Sequence, residues 1–169
     1  MPGEKPAFED LYRQYVNRVY AYLRSQLGSP ADAEDVTAQV FVKAYQAYGR
    51  YEPRQGTPSA WLFRIARNAA LDHHRGTGRQ ERLRRAAARA VPPDPDPGAL
   101  AEERLLYREL MEAVTRLPER QRDVIGLRHS GLSFLEVGQM MGCSEDAAKM
   151  LYHRALKTLR AGLPELAGE

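Results

Sequence analysis

Residues Leu132–Leu159 read LSFLEVGQMMGCSEDAAKMLYHRALKTL. Ser133 followed three residues later by Glu136 is a capping box. The serine oxygen accepts from a free amide of the first turn while the glutamate reaches back to the serine amide. Phe134, Val137 and Met141 then give a short helix one apolar face. Gly142 ends it, because glycine takes the left-handed C′ conformation without steric cost. Ser144 caps a second helix, in which Ala148, Leu151, Ala155 and Leu159 recur every three or four residues. Two helices joined by so tight a turn form a helix-turn-helix. The same corner occurs in many small helical domains, so geometry alone does not make it a DNA reader. The outward face of the second helix tips the balance: Lys149, His153, Arg154, Lys157 and Arg160 lie off the apolar stripe. Its only acids there, Glu145 and Asp146, sit in the first turn, where the helix dipole favours negative charge. A helix of this kind presents side chains to the major groove. One such module binds weakly, which asks what the rest of the chain supplies.

The chain has 169 residues and a net charge of only +3. Nucleic-acid binding at so small an excess requires segregated charges. They are segregated. Arg75, Arg79, Arg82, Arg84, Arg85 and Arg89 are opposed only by Glu81, while acids gather at Asp32–Asp35 and Asp94–Glu103. The single cysteine, Cys143, excludes an internal disulfide and suits a reducing compartment. In the turn of the motif its expected role is packing. There is no charged-then-apolar leader and no apolar run of membrane-spanning length, so a cytoplasmic protein without membrane insertion is expected.

Every strong periodicity is helical. Phe8, Leu11, Tyr12, Tyr15, Val19, Leu23 and Leu27 mark a first helix ended by Gly28. Ser29 and Pro30 open a second as N-cap and first residue, with a stripe of Ala33, Val36, Val40, Phe41, Ala44, Tyr45 and Tyr48. Residues 49–57 (GRYEPRQGT) form a loop. Thr57-Pro58 starts a third helix through Trp61, Ile65 and Ala69 to about Arg75. VPPDPDPG, at residues 91–98, cannot be helical. A second domain follows, led in by Leu105, Leu106, Leu110, Ala113, Val114 and Leu117. Pro118-Glu119 opens a further helix carrying Val124, Ile125 and Leu127, closed by Gly131. The expected fold is all-α: an N-terminal helical bundle (residues 5–76) and a C-terminal helix-turn-helix domain (residues 99–162). A flexible Arg/Pro-rich linker (residues 77–98) joins the two. It reaches about 70 Å at full extension.

DAEDVTAQVFVKAY at Asp32–Tyr45 and PSAWLFRIARNAALDHHR at Pro58–Arg75 resemble the second domain of extracytoplasmic-function (group IV) RNA polymerase sigma factors of the sigma-70 family. RLPERQRDVIGLRHSGLSFLEVGQMMGCSEDAAKMLYHRALKTLR at Arg116–Arg160 resembles their fourth. The resemblance covers nearly the whole chain in the family's order. It implies a non-enzymatic protein that binds core RNA polymerase, at the β′ coiled coil and the β flap, and directs it to promoter DNA. The second domain then reads and melts the minus-ten element and the fourth reads the minus-thirty-five element. An anti-sigma factor is implied as a further partner, and no cofactor or metal.

The resemblance also carries residue roles. Asp32, Asp35, Gln39 and Lys43 fall on the helix that docks on polymerase, and an acidic surface with apolar neighbours suits a basic helical partner. Tyr51, Arg54, Gln55, Trp61, Arg64, Arg67, Asn68 and Arg75 are the expected minus-ten contacts. Asn68 occupies the family's ARN position, and an amide both donates and accepts. Trp61 stands between core packing, the favoured reading, and base stacking, and Tyr48 joins Tyr51, Arg54 and Gln55 as an expected contact to flipped bases. Arg64, Arg67, Asn68, His73, His74 and Arg75 offer donors along a common side, and Asp72 is expected to fix a neighbouring arginine. Ser144, Lys149, His153, Arg154 and Lys157 are the expected minus-thirty-five contacts. Many members read close to GTVKSRLHRA where this chain has Asp146–Ala155, so the serine and arginine after the lysine become Met150 and Leu151. Polar base contacts at those two positions are lost, and Met150 is left with a thymine methyl as its only target. That loss opens a second reading, in which the domain sequesters a protein partner without reading DNA.

Overall fold

The structure, a computed structural model, describes residues 4–76 and 100–163. The linker and its arginines at positions 79, 82, 84, 85 and 89 lie outside those residues. The described residues are helical, with no strand among them. Helix α1 (Phe8–Leu27) packs on α2 (Pro30–Ala47) and α3 (Pro58–Gly76) as a three-helix bundle. The second unit comprises α4 (Ala101–Arg116), α5 (Glu119–His129), α6 (Phe134–Met141) and α7 (Glu145–Gly162).

The caps form as the sequence requires. Ser29 accepts from the Asp32 amide at 3.4 Å and Ser144 from the Ala147 amide at 3.0 Å. The capping box is complete: the Glu136 amide donates to Ser133 Oγ at 3.1 Å, and the Ser133 amide to Glu136 Oε1 at 3.4 Å. Gly142 then takes φ 72°, ending α6 in the left-handed region. Ser133→Ala should cost about 1 kcal/mol, the usual worth of a cap, read as a lower urea midpoint at unchanged slope.

The expected stripes are buried with some exceptions, among them Tyr12 of α1, which is 46% exposed with its ring edge-on to Phe41 at 4.9 Å. Leu11, Tyr15, Val19, Leu23 and Leu27 of α1 meet Ala33, Val36, Val40, Phe41 and Ala44 of α2 and Leu62, Phe63, Ala66 and Ala69 of α3. Tyr45 is 69% exposed, because at about 100° per residue it stands off the face that buries Ala33, Val40 and Ala44, and it keeps an edge contact with Phe8. Leu105 and Leu106 are likewise exposed rather than core. They lie on the N-terminal half of α4, and the buried side chains of α4 begin only at Met111. The loop at residues 49–57 contains two short 3₁₀ turns, Tyr48–Arg50 and Pro53–Gln55.

The two units are packed together in one continuous apolar cluster. Helix α5 lies between α1 on one side and α7 on the other, so it is buried on both. Gly126 makes this possible: a Cβ there would sit 2.7 Å from Gln26 Nε2 and 2.9 Å from Tyr22 Cδ2 of α1. Polar bonds complete the contact. Arg18 donates to the Ser130 carbonyl at 2.8 Å and Gln26 to the Arg122 carbonyl at 3.1 Å.

Candidate nucleic-acid interface

Three surfaces carry the expected contacts. On α7, Lys149, His153, Arg154 and Lys157 are exposed together, while Ala148 and Ala155 on the opposite side are fully buried. Lys149 pairs with Glu145 at 3.6 Å, an exposed i,i+4 pair worth roughly 0.3–0.5 kcal/mol, so it is easily released to a phosphate. Ser144 has spent its oxygen on the α7 cap, though its hydroxyl proton is still available to donate. Met150 is 56% exposed beside Lys149. Leu151 turns inward and packs against the core, so it presents no side chain to the groove.

On α3, Arg64, Asn68 and Arg75 are exposed and recur at one-face helical spacing. His73 and His74 leave that face. His73 lies 3.6 Å from Asp32 Oδ2 at the start of α2, and the His74 ring reaches the Gln26 carbonyl at 3.0 Å. They tie the end of α3 to its neighbours. Asp72 is exposed and makes no ion pair with an arginine among the described residues. The loop before α3 builds an aromatic cluster: Tyr51 lies 4.8 Å from Trp61 and stacks on Tyr48 at 5.9 Å. Tyr51 is 5% exposed, its hydroxyl donating to the Gly56 carbonyl, and burial raises its pKa. Its ring is therefore a wall of the loop rather than a free stacking platform, and Trp61 is half-buried beside it. Lys5, which the sequence did not mark, donates to the Tyr48 carbonyl and sits over the Tyr48 ring. A cavity of about 560 Å³, lined by Tyr51, Pro53, Arg54, Gly56 and Thr57, opens beside this cluster.

Arg67 behaves differently from its neighbours. Its Nε donates to Asp123 Oδ2 at 2.7 Å and its Nη1 to the Met140 carbonyl at 3.2 Å. Both partners belong to the second unit. Burial opposes the charge on Arg67, but the hydrogen bond and charge of Asp123 outweigh it, and the pKa is raised overall. Asp123 also accepts from the Tyr22 hydroxyl at 3.0 Å. Burial, then the neighbouring Asp123 carboxylate, holds the Tyr22 pKa well above its ordinary value. A raised folded pKa means stability that is present in full below the ordinary tyrosine value, about 10, and lost as pH rises through the folded value. Wild-type stability should therefore fall more steeply above pH ~10 than that of Tyr22→Phe, as measured by urea titration across the alkaline range.

On α2, Asp35, Gln39 and Lys43 are exposed along one side, with Asp32 half-buried against His73. The same side carries Val42, 57% exposed, which the stripe reading passed over. Three residues from Gln39 and seven from Asp35, Val42 gives that polar face an apolar edge. No helix among the described residues is long and apolar enough to cross a membrane.

Comparison with known proteins matches residues 11–80 to the Sigma-70 region 2 family and residues 107–159 to the Sigma-70 region 4 family. RNA polymerase sigma factor CarQ of Myxococcus xanthus is 36% identical over 97% of this chain and 93% of its own. ECF RNA polymerase sigma factor BldN of Streptomyces coelicolor is 35% identical over 96% of this chain. The chain spans 62% of the length of BldN and 64% of that of SigE of Mycolicibacterium smegmatis. Among solved structures, CnrH in complex with the cytosolic domain of CnrY superposes with a TM-score of 0.66 at 26% identity, over 94% of this chain and 88% of that one. The sigma factor RpoE of Bartonella quintana in complex with the anti-sigma factor NepR shares the fold, with a TM-score of 0.74 at 23% identity over 93% of this chain and 96% of that one.

Proposed function

The chain belongs to the extracytoplasmic-function RNA polymerase sigma factors, and we propose that it binds core polymerase and directs initiation at specific promoters. The observation that carries this reading is the ordered pair of units, each with an exposed polar face on the helix the family uses. Residues 5–76 form the unit that docks on polymerase and reads the minus-ten element. The face of Asp35, Gln39, Val42 and Lys43 on α2 receives the β′ coiled coil, with Asp32 at its edge, and the β flap takes the second unit. Arg64, Asn68 and Arg75 meet the minus-ten strand, Arg67 joins them when released from Asp123, Arg54 lines the cavity beside the aromatic cluster, and Gln55 follows it in the chain as a further contact. Base capture there rests on edge hydrogen bonds and stacking, about 1–3 kcal/mol per base. Residues 99–162 form the minus-thirty-five reader, with Ser144, Lys149, His153, Arg154 and Lys157 at the groove and Met150 toward a thymine methyl. The linker, residues 77–98, makes the second contact intramolecular once the first is made. Relatives solved in complex with CnrY and NepR support an anti-sigma factor as a further partner.

Reconstitution with core polymerase, followed by run-off sequencing on fragmented genomic DNA, should yield discrete start sites that depend on the added chain. Co-purification with core but no discrete start sites would overturn the promoter role.

A further inference from the structure

The two DNA-reading units are packed so that one covers part of the other. Three contacts cross from the Thr57–Arg67 edge of the first unit to the second. Arg67 donates to Asp123 and to the Met140 carbonyl, and Thr57 Oγ1 donates to Glu136 Oε2 at 3.0 Å. Thr57 caps α3, its Oγ1 accepting from the Ala60 amide at 3.2 Å, so the contact reaches the loop beside the aromatic cavity. The side chain of Asp123 is 10% exposed and that of Arg67 is 24% exposed. Asp123 accepts from Tyr22 and from Arg67, and both donors lie in the first unit.

We propose that this packing is a self-inhibited state, closed by an exchange at Arg67: the guanidinium binds Asp123 in the closed chain and a DNA phosphate in the open one. The proposal rests on the reading of α3 as a minus-ten surface. The chemistry of the two partners is equivalent. Carboxylate and phosphate both accept charge-assisted hydrogen bonds from a guanidinium, and its forked donors suit either. The guanidinium already donates through Nε and Nη1 to the second unit, and its side chain is 24% exposed, so closure competes with DNA contact by Arg67. Opening also leaves Asp123 free to take water, and the linkage is reciprocal: whatever opens the units tightens DNA, and DNA opens the units. The apolar seam through Gly126 makes the closed state more than a single ion pair, so the polar exchange biases a packed, two-state element.

The test uses the full chain and a short mixed-sequence single-stranded DNA. Asp123→Asn keeps the shape and an acceptor for Tyr22 but removes the charge that holds Arg67. It should enlarge the radius of gyration in small-angle scattering and bind the DNA roughly tenfold more tightly. Glu109→Gln, an exposed acid on α4, makes the same charge change and should alter neither reading. Arg67→Gln should open the chain as Asp123→Asn does, yet bind DNA no better than wild type. Thermal melting of each variant separates opening from unfolding. Unchanged size and unchanged DNA binding in Asp123→Asn would overturn the closure. Arg67→Gln binding DNA as tightly as Asp123→Asn would overturn the exchange by removing Arg67 from the DNA surface.

Discussion

Phe63→Ala should destabilise the protein by about 3–5 kcal/mol, the usual cost of truncating a buried phenylalanine. The residue is completely buried at the point where α3 meets α1. Its ring meets Tyr22 edge-on at 5.9 Å, and the Arg18 guanidinium lies 5.9 Å from its centre. Both neighbours also bind the second unit, Tyr22 through Asp123 and Arg18 through the Ser130 carbonyl. Truncation therefore opens a cavity under the three-helix bundle and removes support from the seam at once. A domain of ordinary stability has only about 5–15 kcal/mol in all, so this variant should approach the folding threshold. Phe63→Leu, which conserves most of the volume, should cost less than about 1.5 kcal/mol. The pair is read from urea midpoints at constant slope. A loss for Phe63→Ala as small as that for Phe63→Leu would show that the site relaxes around the cavity and does not hold the seam.

What could be read in the sequence was local. Ser29, Ser133 with Glu136, and Ser144 are cap signals complete within four residues, and each forms the bond its spacing implies. The stripes of α1, α6 and α7 needed one buried face, and a repeat of three and four finds one face. Helix α5 defeats that logic. It is buried by α1 and α7 together, so Asp123 and Gly126 are as enclosed as Val124 and Leu127. Leu105 and Leu106 fail for the opposite reason: an apolar spacing shows which face would be buried, not whether a partner lies against it. The exposed faces of α2, α3 and α7 were legible because helical spacing alone groups Asp35 with Gln39, Arg64 with Asn68, and Lys149 with His153. Arg67 shares that spacing but not its fate. The pair it makes with Asp123 spans 56 residues, and no local pattern encodes it. The same holds for His73 and Asp32, which belong to different helices.

Lys149→Ala combined with Arg154→Ala should abolish the contribution of α7 to promoter binding while leaving the fold intact. Both side chains are exposed, and the ion pair lost among the described residues is Lys149 with Glu145 at 3.6 Å. Such a pair is worth roughly 0.3–0.5 kcal/mol, and alanine returns part of that through its helix propensity. Thermal melting should therefore hardly move. A good bidentate base contact is worth about 1–3 kcal/mol, so two lost contacts correspond to about 2–6 kcal/mol. At 1.4 kcal/mol per decade that is roughly thirtyfold to twenty-thousandfold in affinity. Salt dependence sorts the contacts further. If both residues meet phosphates, the slope of log K against log salt should fall by about 1.8, since each neutralised phosphate of a duplex contributes about 0.9. If one of them reads a base, the slope falls by half as much and specificity at one position relaxes. The measurement is polymerase-dependent footprinting on a promoter found by run-off sequencing, repeated across salt concentrations. Protection of the upstream element that survives the double substitution would remove α7 from the DNA. The exposed Met150, with Leu151 turned inward, would then mark a helix that has exchanged base reading for a protein partner.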